Sequence, residues 1–185
     1  ANFTIYFDVS KHYVRSLYVG FDNLLDKYSI VFLVRDPLLN MRSFLNRNKK
    51  FFLDNSPPEK SSNLLIMDTS GWEDGEYYLW SWVETVLRYK KINLLSKVKN
   101  SLVIRSEDLN SKEEVTNILN KLEIPHRKIK NIKRLNTNIS KGYGNTKINT
   151  QDYYTLKKFV SRLSAKTLKD LGLFAEPLFI YENHI

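Results

Sequence analysis

The chain alternates between short runs of consecutive apolar residues and longer stretches in which apolar residues recur every three or four positions. The first pattern predicts strands, and the second predicts helices packed by one face. Phe3 to Val9 reads as a short buried strand, with Ser10-Lys11-His12 as the loop that leaves it. Tyr13 to Asp26 has helical spacing, with Val14, Leu17, Tyr18, Phe21, Leu24 and Leu25 on one face. Ser29 to Val34 is an unbroken apolar run, typical of a strand in a parallel sheet covered on both sides. Arg35-Asp36-Pro37 ends that strand and opens a helix, because proline is tolerated in the first helical turn. Leu38, Met41 and Leu45 form the buried stripe of this helix, and Ser43 falls on the opposite side of the wheel.

Lys49 to Gly75 is polar, carries Pro57-Pro58 and lacks periodicity, which predicts a long surface loop placed to act as a lid. Glu76 to Lys97 predicts a long helix with Leu79, Trp82, Val83 and Val86 at core spacing. Ser101 to Arg105 is a third short strand. Ser111 with Glu114 makes a capping box for a helix whose Val115, Ile118, Leu119 and Leu122 face inward. A basic stretch from His126 to Arg134 suggests another helix, Ser140 to Gly144 a glycine-bearing loop, and Gln151 to Leu171 the last helix. Strands alternating with helices imply an α/β fold with a mostly parallel sheet. No repeat or linker divides residues 1–185, so one domain is expected.

Composition narrows the function. With 42% hydrophobic residues, the chain can bury a core rather than remain disordered. The absence of cysteine excludes disulfides and thiolate metal sites. Three scattered histidines without HExxH-type spacing argue against any other metal centre. No apolar run approaches the roughly 20 residues needed to span a bilayer. The formal net charge of +9 favours an anionic partner, whether nucleic acid, a membrane surface or a small polyanion. The sequence opens at Ala1 without an initiator methionine and runs at once into a strand, so an upstream part is expected.

In open α/β sheets, ligands bind beyond the carboxyl ends of the strands. Arg35 sits at such an end, and the helix behind it offers unpaired N–H groups and a positive dipole. A phosphate there would meet a planar guanidinium suited to bidentate contact, with the Ser43 hydroxyl on the same helix. Taken alone, the same residues also read as a capped surface helix beside a solvated arginine. The lysines and arginines from His126 to Arg134 read either as a solvated face or as contacts to a nucleic-acid backbone.

A strand ending in Arg-x-Pro with a serine eight residues after the arginine resembles the 3′-phosphate-binding motif of the PAPS-dependent sulfotransferases, with Arg35 and Ser43 at its two binding positions. Leu102 to Pro125, LVIRSEDLNSKEEVTNILNKLEIP, is similar to the later family segment in which a strand leads into Tyr-Glu-Asp-Leu, a helix and an apolar-Pro turn. Ser140-Lys141-Gly142 resembles the family's Lys-Gly loop over the 3′-phosphate. The resemblance spans most of the chain. It implies a three-layer fold like that of P-loop kinases, lacking its first strand-loop-helix, with PAPS or its product PAP as cofactor.

It also implies roles near the start. His12 lies where the cytosolic members carry a catalytic base in Lys-x-His, with Lys11 assisting, although Ser10-Lys11 could instead match the Lys-Ser/Thr-Pro of distant members. Imidazole titrates in the range needed to take an acceptor's proton, and an ammonium stabilises charge on a bridging oxygen. An ordinary loop histidine is the alternative. The chain departs from the family twice. Ser106 replaces the tyrosine that helps hold adenine, and no Lys-x-Gly-Thr/Ser-Thr/Ser phosphosulfate loop is present.

The expected activity is sulfuryl transfer from PAPS to a hydroxyl or amine of a small molecule or saccharide, with Trp72 and Tyr77 as candidates for the acceptor site. A non-catalytic adenosine-bisphosphate-binding relative and a basic nucleic-acid-binding module are the alternatives. The second of these rests on charge alone. A cysteine-free chain without an anchor points to a cytoplasmic, microbial setting.

Overall fold

The computed structural model describes residues 13–46, 63–106, 108–126 and 147–181. Two strands, β1 (Tyr28–Val34) and β2 (Val98–Arg105), pair in parallel. Their register runs from Ile30 opposite Ser101 to Val34 opposite Arg105, after an irregularity between Tyr28 and Ser29. A parallel pair needs a crossover, which among the described residues holds two helices, α2 (Pro37–Leu45) and α3 (Asp74–Ile92). The result is a mixed α/β fold in which helices dominate.

Helix α3 is the centre of the core. Glu73 and Glu76 close a capping box at its start, and Asp74 and Glu76 in the first turn with Lys90 and Lys91 in the last complement the helix dipole. Leu79, Trp82, Val83 and Val86 are all buried, as their spacing predicts, together with Tyr78, Trp80, Tyr89 and Ile92. Phe32 of β1 stacks on Tyr89 with ring centroids 4.2 Å apart, and the Tyr89 hydroxyl lies 2.6 Å from Ser101 Oγ on β2. These contacts fix the sheet against α3.

Helix α2 starts as expected, with Pro37 in its first turn and Asp36 as N-cap, the Leu39 N–H donating to Asp36 Oδ1 at 2.9 Å. Leu38 and Met41 are fully buried. Helix α5 (Thr150–Val160), opened by an Asn149–Asp152 capping box, packs on both α2 and α3. The three meet at Gly75, where an added Cβ would come within 2.9 Å of Thr155 Cγ2 and 3.1 Å of Met41 Sδ. Only a residue without a side chain lets them approach this closely.

A π-helical turn (Tyr13–Leu17) runs into α1 (Tyr18–Leu24) before β1. After β2, a 3₁₀ turn (Asp108–Asn110) leads to α4 (Lys112–Lys121), with Ser111 Oγ accepting from the Glu114 N–H. Helix α6 (Ala165–Leu171), a 3₁₀ turn (Gly172–Ala175) and α7 (Glu176–Phe179) complete the described chain.

Several expectations are corrected. The helical face at the start is narrower than expected: Val14 and Tyr18 pack against the core, joined by Tyr13, while Leu17, Leu24 and Leu25 are exposed. Strand β1 is not covered evenly on both sides among the described residues, because Ile30 and Phe32 are buried while Leu33 is 52% exposed. Helix α3 ends at Ile92, short of Lys97. The single helix expected from Gln151 to Leu171 is two, because the chain turns after Val160 and Ser164 caps a new helix by accepting from the Thr167 N–H. The stretch 63–73 is irregular but not a free surface loop. Leu65 is buried, its N–H donates to Glu84 Oε2 at 2.7 Å, and its carbonyl accepts from Trp80 Nε1 at 3.0 Å.

Four charged side chains are buried among these helices, and each has partners. Glu84 takes the Leu64 and Leu65 N–H groups and pairs with Arg88 Nε at 2.6 Å. Glu76 accepts from Lys158 Nζ at 2.9 Å and lies 3.4 Å from Arg162 Nη1. Asp152 takes the Asn149 N–H and lies 3.5 Å from Arg42 Nη1. Buried charge without such partners would cost several kcal/mol, on the order of 3–5. The expected strand Phe3–Val9, most of the expected lid, the basic stretch after His126 and the loop Ser140–Gly144 lie outside the described residues.

Candidate functional site

The carboxyl ends of β1 and β2 lie side by side because the pair is parallel. The Ser106 N–H donates to the Val34 carbonyl at 2.9 Å, which ties the exit of β2 to that of β1. Beyond it, Asp108 Oδ2 accepts the Arg105 N–H at 3.1 Å and turns the chain toward α4. Arg35 follows Val34 directly, and Arg105 is the register partner of Val34, so two arginines share this end of the sheet.

The link Arg35–Asp36 is held from outside its own strand and helix. Trp82 Nε1, reaching across from α3, donates to the Arg35 carbonyl at 2.9 Å. The Asp36 carbonyl starts α2 by accepting the Asn40 N–H at 2.8 Å. The Asp36 carboxylate is shared, Oδ1 capping α2 and Oδ2 accepting the Tyr181 hydroxyl at 3.0 Å. Burial, with the Asp36 charge adding to it, pushes the Tyr181 phenol well above the usual tyrosine range. Among the described residues the Arg35 guanidinium makes no hydrogen bond or ion pair, and the residue is only partly buried.

The other expected site residues are distributed unevenly. Ser43 is in α2 but points inward at 7% exposure, so the wheel reading that set it off the packed face is corrected. The reason is that α2 is wrapped on a second side by α3 and α5, which widens its buried surface. His12, Lys11, Lys141 and Gly142 lie outside the described residues. Trp72 packs edge-on to Tyr77 at 5.3 Å and to Phe159 at 5.9 Å, under the Arg162 guanidinium, so it serves the seam between α3 and α5. Its indole N–H has no partner among the described residues. His126 is exposed, with Nδ1 3.0 Å from the Ile124 carbonyl.

A shallow open hollow lies elsewhere, between β2 and α4, lined by Leu102, Ile104, Asp108, Asn117, Ile118 and Lys121. Its walls mix apolar residues with charges of both signs, Asp108, Glu114 and Lys121, and neither Arg35 nor Ser43 lines it. The corner at Arg35 is the better candidate on chemistry. Among the described residues no cluster of three or more histidine or acidic side chains could hold a metal ion, and no helix is long and apolar enough to cross a membrane.

Sequence reasoning missed Trp82 and Tyr181 as supports of this corner. Trp82 could be read only as a core residue, since the acceptor of its N–H lies 47 positions away. Arg105 carried a signal that could have been used, because it ends β2 as Arg35 ends β1.

No protein-family model matches the chain, and comparisons with curated proteins and with solved structures likewise give no match.

Proposed function

We propose that the chain is a PAPS-dependent sulfotransferase, with a fold related to P-loop kinases. One observation carries the reading. Arg35 stands at the carboxyl end of a parallel strand with its main chain fixed and its guanidinium without a partner among the described residues. A phosphate fits that donor set, since the guanidinium fork offers two parallel N–H groups to two oxygens. The family resemblance supplies the rest.

In this reading Arg35, Ser43, Lys141 and Gly142 hold the 3′-phosphate of the nucleotide. Arg35 is the member on which the reading depends most, and Ser43, buried on α2, the one it needs least. The bound nucleotide supplies the sulfuryl group. His12 takes the proton of the acceptor hydroxyl or amine, and Lys11 stabilises negative charge on the leaving side. A relative that binds adenosine bisphosphate without transfer, and a nucleic-acid-binding module, are the competing outcomes.

A thermal-shift titration separates them. Adenosine 3′,5′-bisphosphate at 100 times its Kd should stabilise the chain by about 2.7 kcal/mol through mass action. Duplex DNA at the same salt should give no comparable shift. A shift with DNA and none with the bisphosphate rejects the sulfotransferase reading. A bisphosphate shift without transfer of labelled sulfate to any hydroxyl or amine acceptor selects the non-catalytic relative.

A further inference from the structure

Asp36 is the nearest acid to Arg35 in the chain, and an adjacent carboxylate is the simplest way for an arginine to be neutralised. That pairing is not made. Asp36 Oδ1 takes the Leu39 N–H at 2.9 Å and Oδ2 takes the Tyr181 hydroxyl at 3.0 Å, which orients the carboxylate, and neither oxygen pairs with the guanidinium. The cap alone would leave one oxygen able to swing toward Arg35. Tyr181 removes that freedom, and it comes from 145 positions away, just past α7, where its ring packs 5.5 Å from Tyr153.

Trp82 acts on the other side of the same peptide. Its indole is buried in α3, and its N–H donates to the Arg35 carbonyl at 2.9 Å. A two-residue link between a strand and a helix would otherwise sample several main-chain conformations, and ordering it would weaken any ligand held by its side chain. With the carbonyl of Arg35 and the carboxylate of Asp36 both fixed, the guanidinium leaves a main chain that needs no rearrangement on binding.

We infer that Trp82 and Tyr181 are positioning residues of an anion site at Arg35: Trp82 fixes the main chain, and Tyr181 holds the Asp36 carboxylate off the guanidinium so that it stays available to a phosphate. This rests on the reading that Arg35 grips the 3′-phosphate. It adds the device that keeps the arginine from pairing with the neighbouring carboxylate of Asp36. Neither residue touches the ligand, so both act through Arg35 and Asp36.

The test compares the affinity for adenosine 3′,5′-bisphosphate with that for adenosine 5′-monophosphate, by calorimetric titration of the full chain. The ratio isolates the 3′-phosphate, and a general loss of structure would weaken both ligands together. In the unaltered chain the ratio should be about tenfold or more, as expected for one charge-assisted bidentate contact. Tyr181→Phe should bring it to within about threefold of unity, because the freed Asp36 oxygen competes for Arg35. Adding Asp36→Asn to Tyr181→Phe should restore it, since asparagine keeps the N-cap but removes the competing charge. Trp82→Phe should lower the ratio without rescue by Asp36→Asn.

If Trp82→Phe unfolds, the tyrosine series decides alone, because Tyr181→Phe removes only a hydroxyl. A ratio unchanged by Tyr181→Phe, or a loss that Asp36→Asn does not repair, overturns the positioning role while leaving Arg35 as the phosphate ligand. A ratio near one in the unaltered chain removes the anion site itself, and the positioning role with it.

Discussion

Charge is handled in opposite ways at two places in this molecule. In the seam of α3 and α5, and where α3 meets residues 63–73, Glu76, Glu84, Arg88 and Asp152 are buried, and each is met by an opposite charge or by backbone N–H groups. At the carboxyl end of β1, Arg35 is partly buried with its main chain clamped, and no group among the described residues answers its charge. The first arrangement is what a fold needs when it buries ions, because an unanswered buried charge costs more than most single contacts return. The second serves no comparable structural purpose. A charge that the described residues keep in place but do not answer is available to a ligand.

The sharpest way to break the comparison is to remove a seam charge. Glu84→Ala removes one buried partner of Arg88 and takes the carboxylate from the Leu64 and Leu65 N–H groups. Urea unfolding should show a loss of about 3–5 kcal/mol. A loss below about 1 kcal/mol would mean that water answers these groups, and the contrast with Arg35 would weaken.

A smaller effect should appear at high pH. Tyr13, Tyr28, Tyr78 and Tyr181 all have their phenols pushed upward, chiefly by burial. An unfolded tyrosine ionises near 10. The folded chain therefore keeps protons that the unfolded chain loses, so this contribution to stability is complete below about pH 10 and falls as pH rises beyond it. In a spectrophotometric titration these four should ionise above the range of a free tyrosine. Their ionisation at the value of an unfolded tyrosine would contradict the burial of the Tyr181 hydroxyl against Asp36.

Much of the frame was legible because it depends on local chemistry. Asp36-Pro37 announces a capped helix start, the 3.6-residue stripe of α3 is filled with large apolar residues, and the carboxyl ends of both strands are marked by arginine. The break between α5 and α6 was hidden because no glycine or proline marks it. Ser161 to Ser164 turns the chain with residues that helices also tolerate. The buried acids were invisible for a different reason. Glu76 falls on the stripe of Leu79 and Val83, where an acid in the first turn reads as a cap, and the partners Lys158 of Glu76 and Leu65 of Glu84 come from elsewhere in the chain. The same holds for the site, since Arg35 could be nominated from its place after a strand, whereas Trp82 and Tyr181 become its supports only through long-range contact.

The central claim is that Arg35 is kept for a ligand rather than for the fold. Arg35→Ala measured twice, by urea unfolding and by thermal shift with adenosine 3′,5′-bisphosphate, tests it most directly. The account predicts a change in stability within about 0.5 kcal/mol, as for a surface substitution away from any network, together with loss of the bisphosphate shift. A loss of 2 kcal/mol or more on the order of a core contact, with the bisphosphate shift intact, would contradict it.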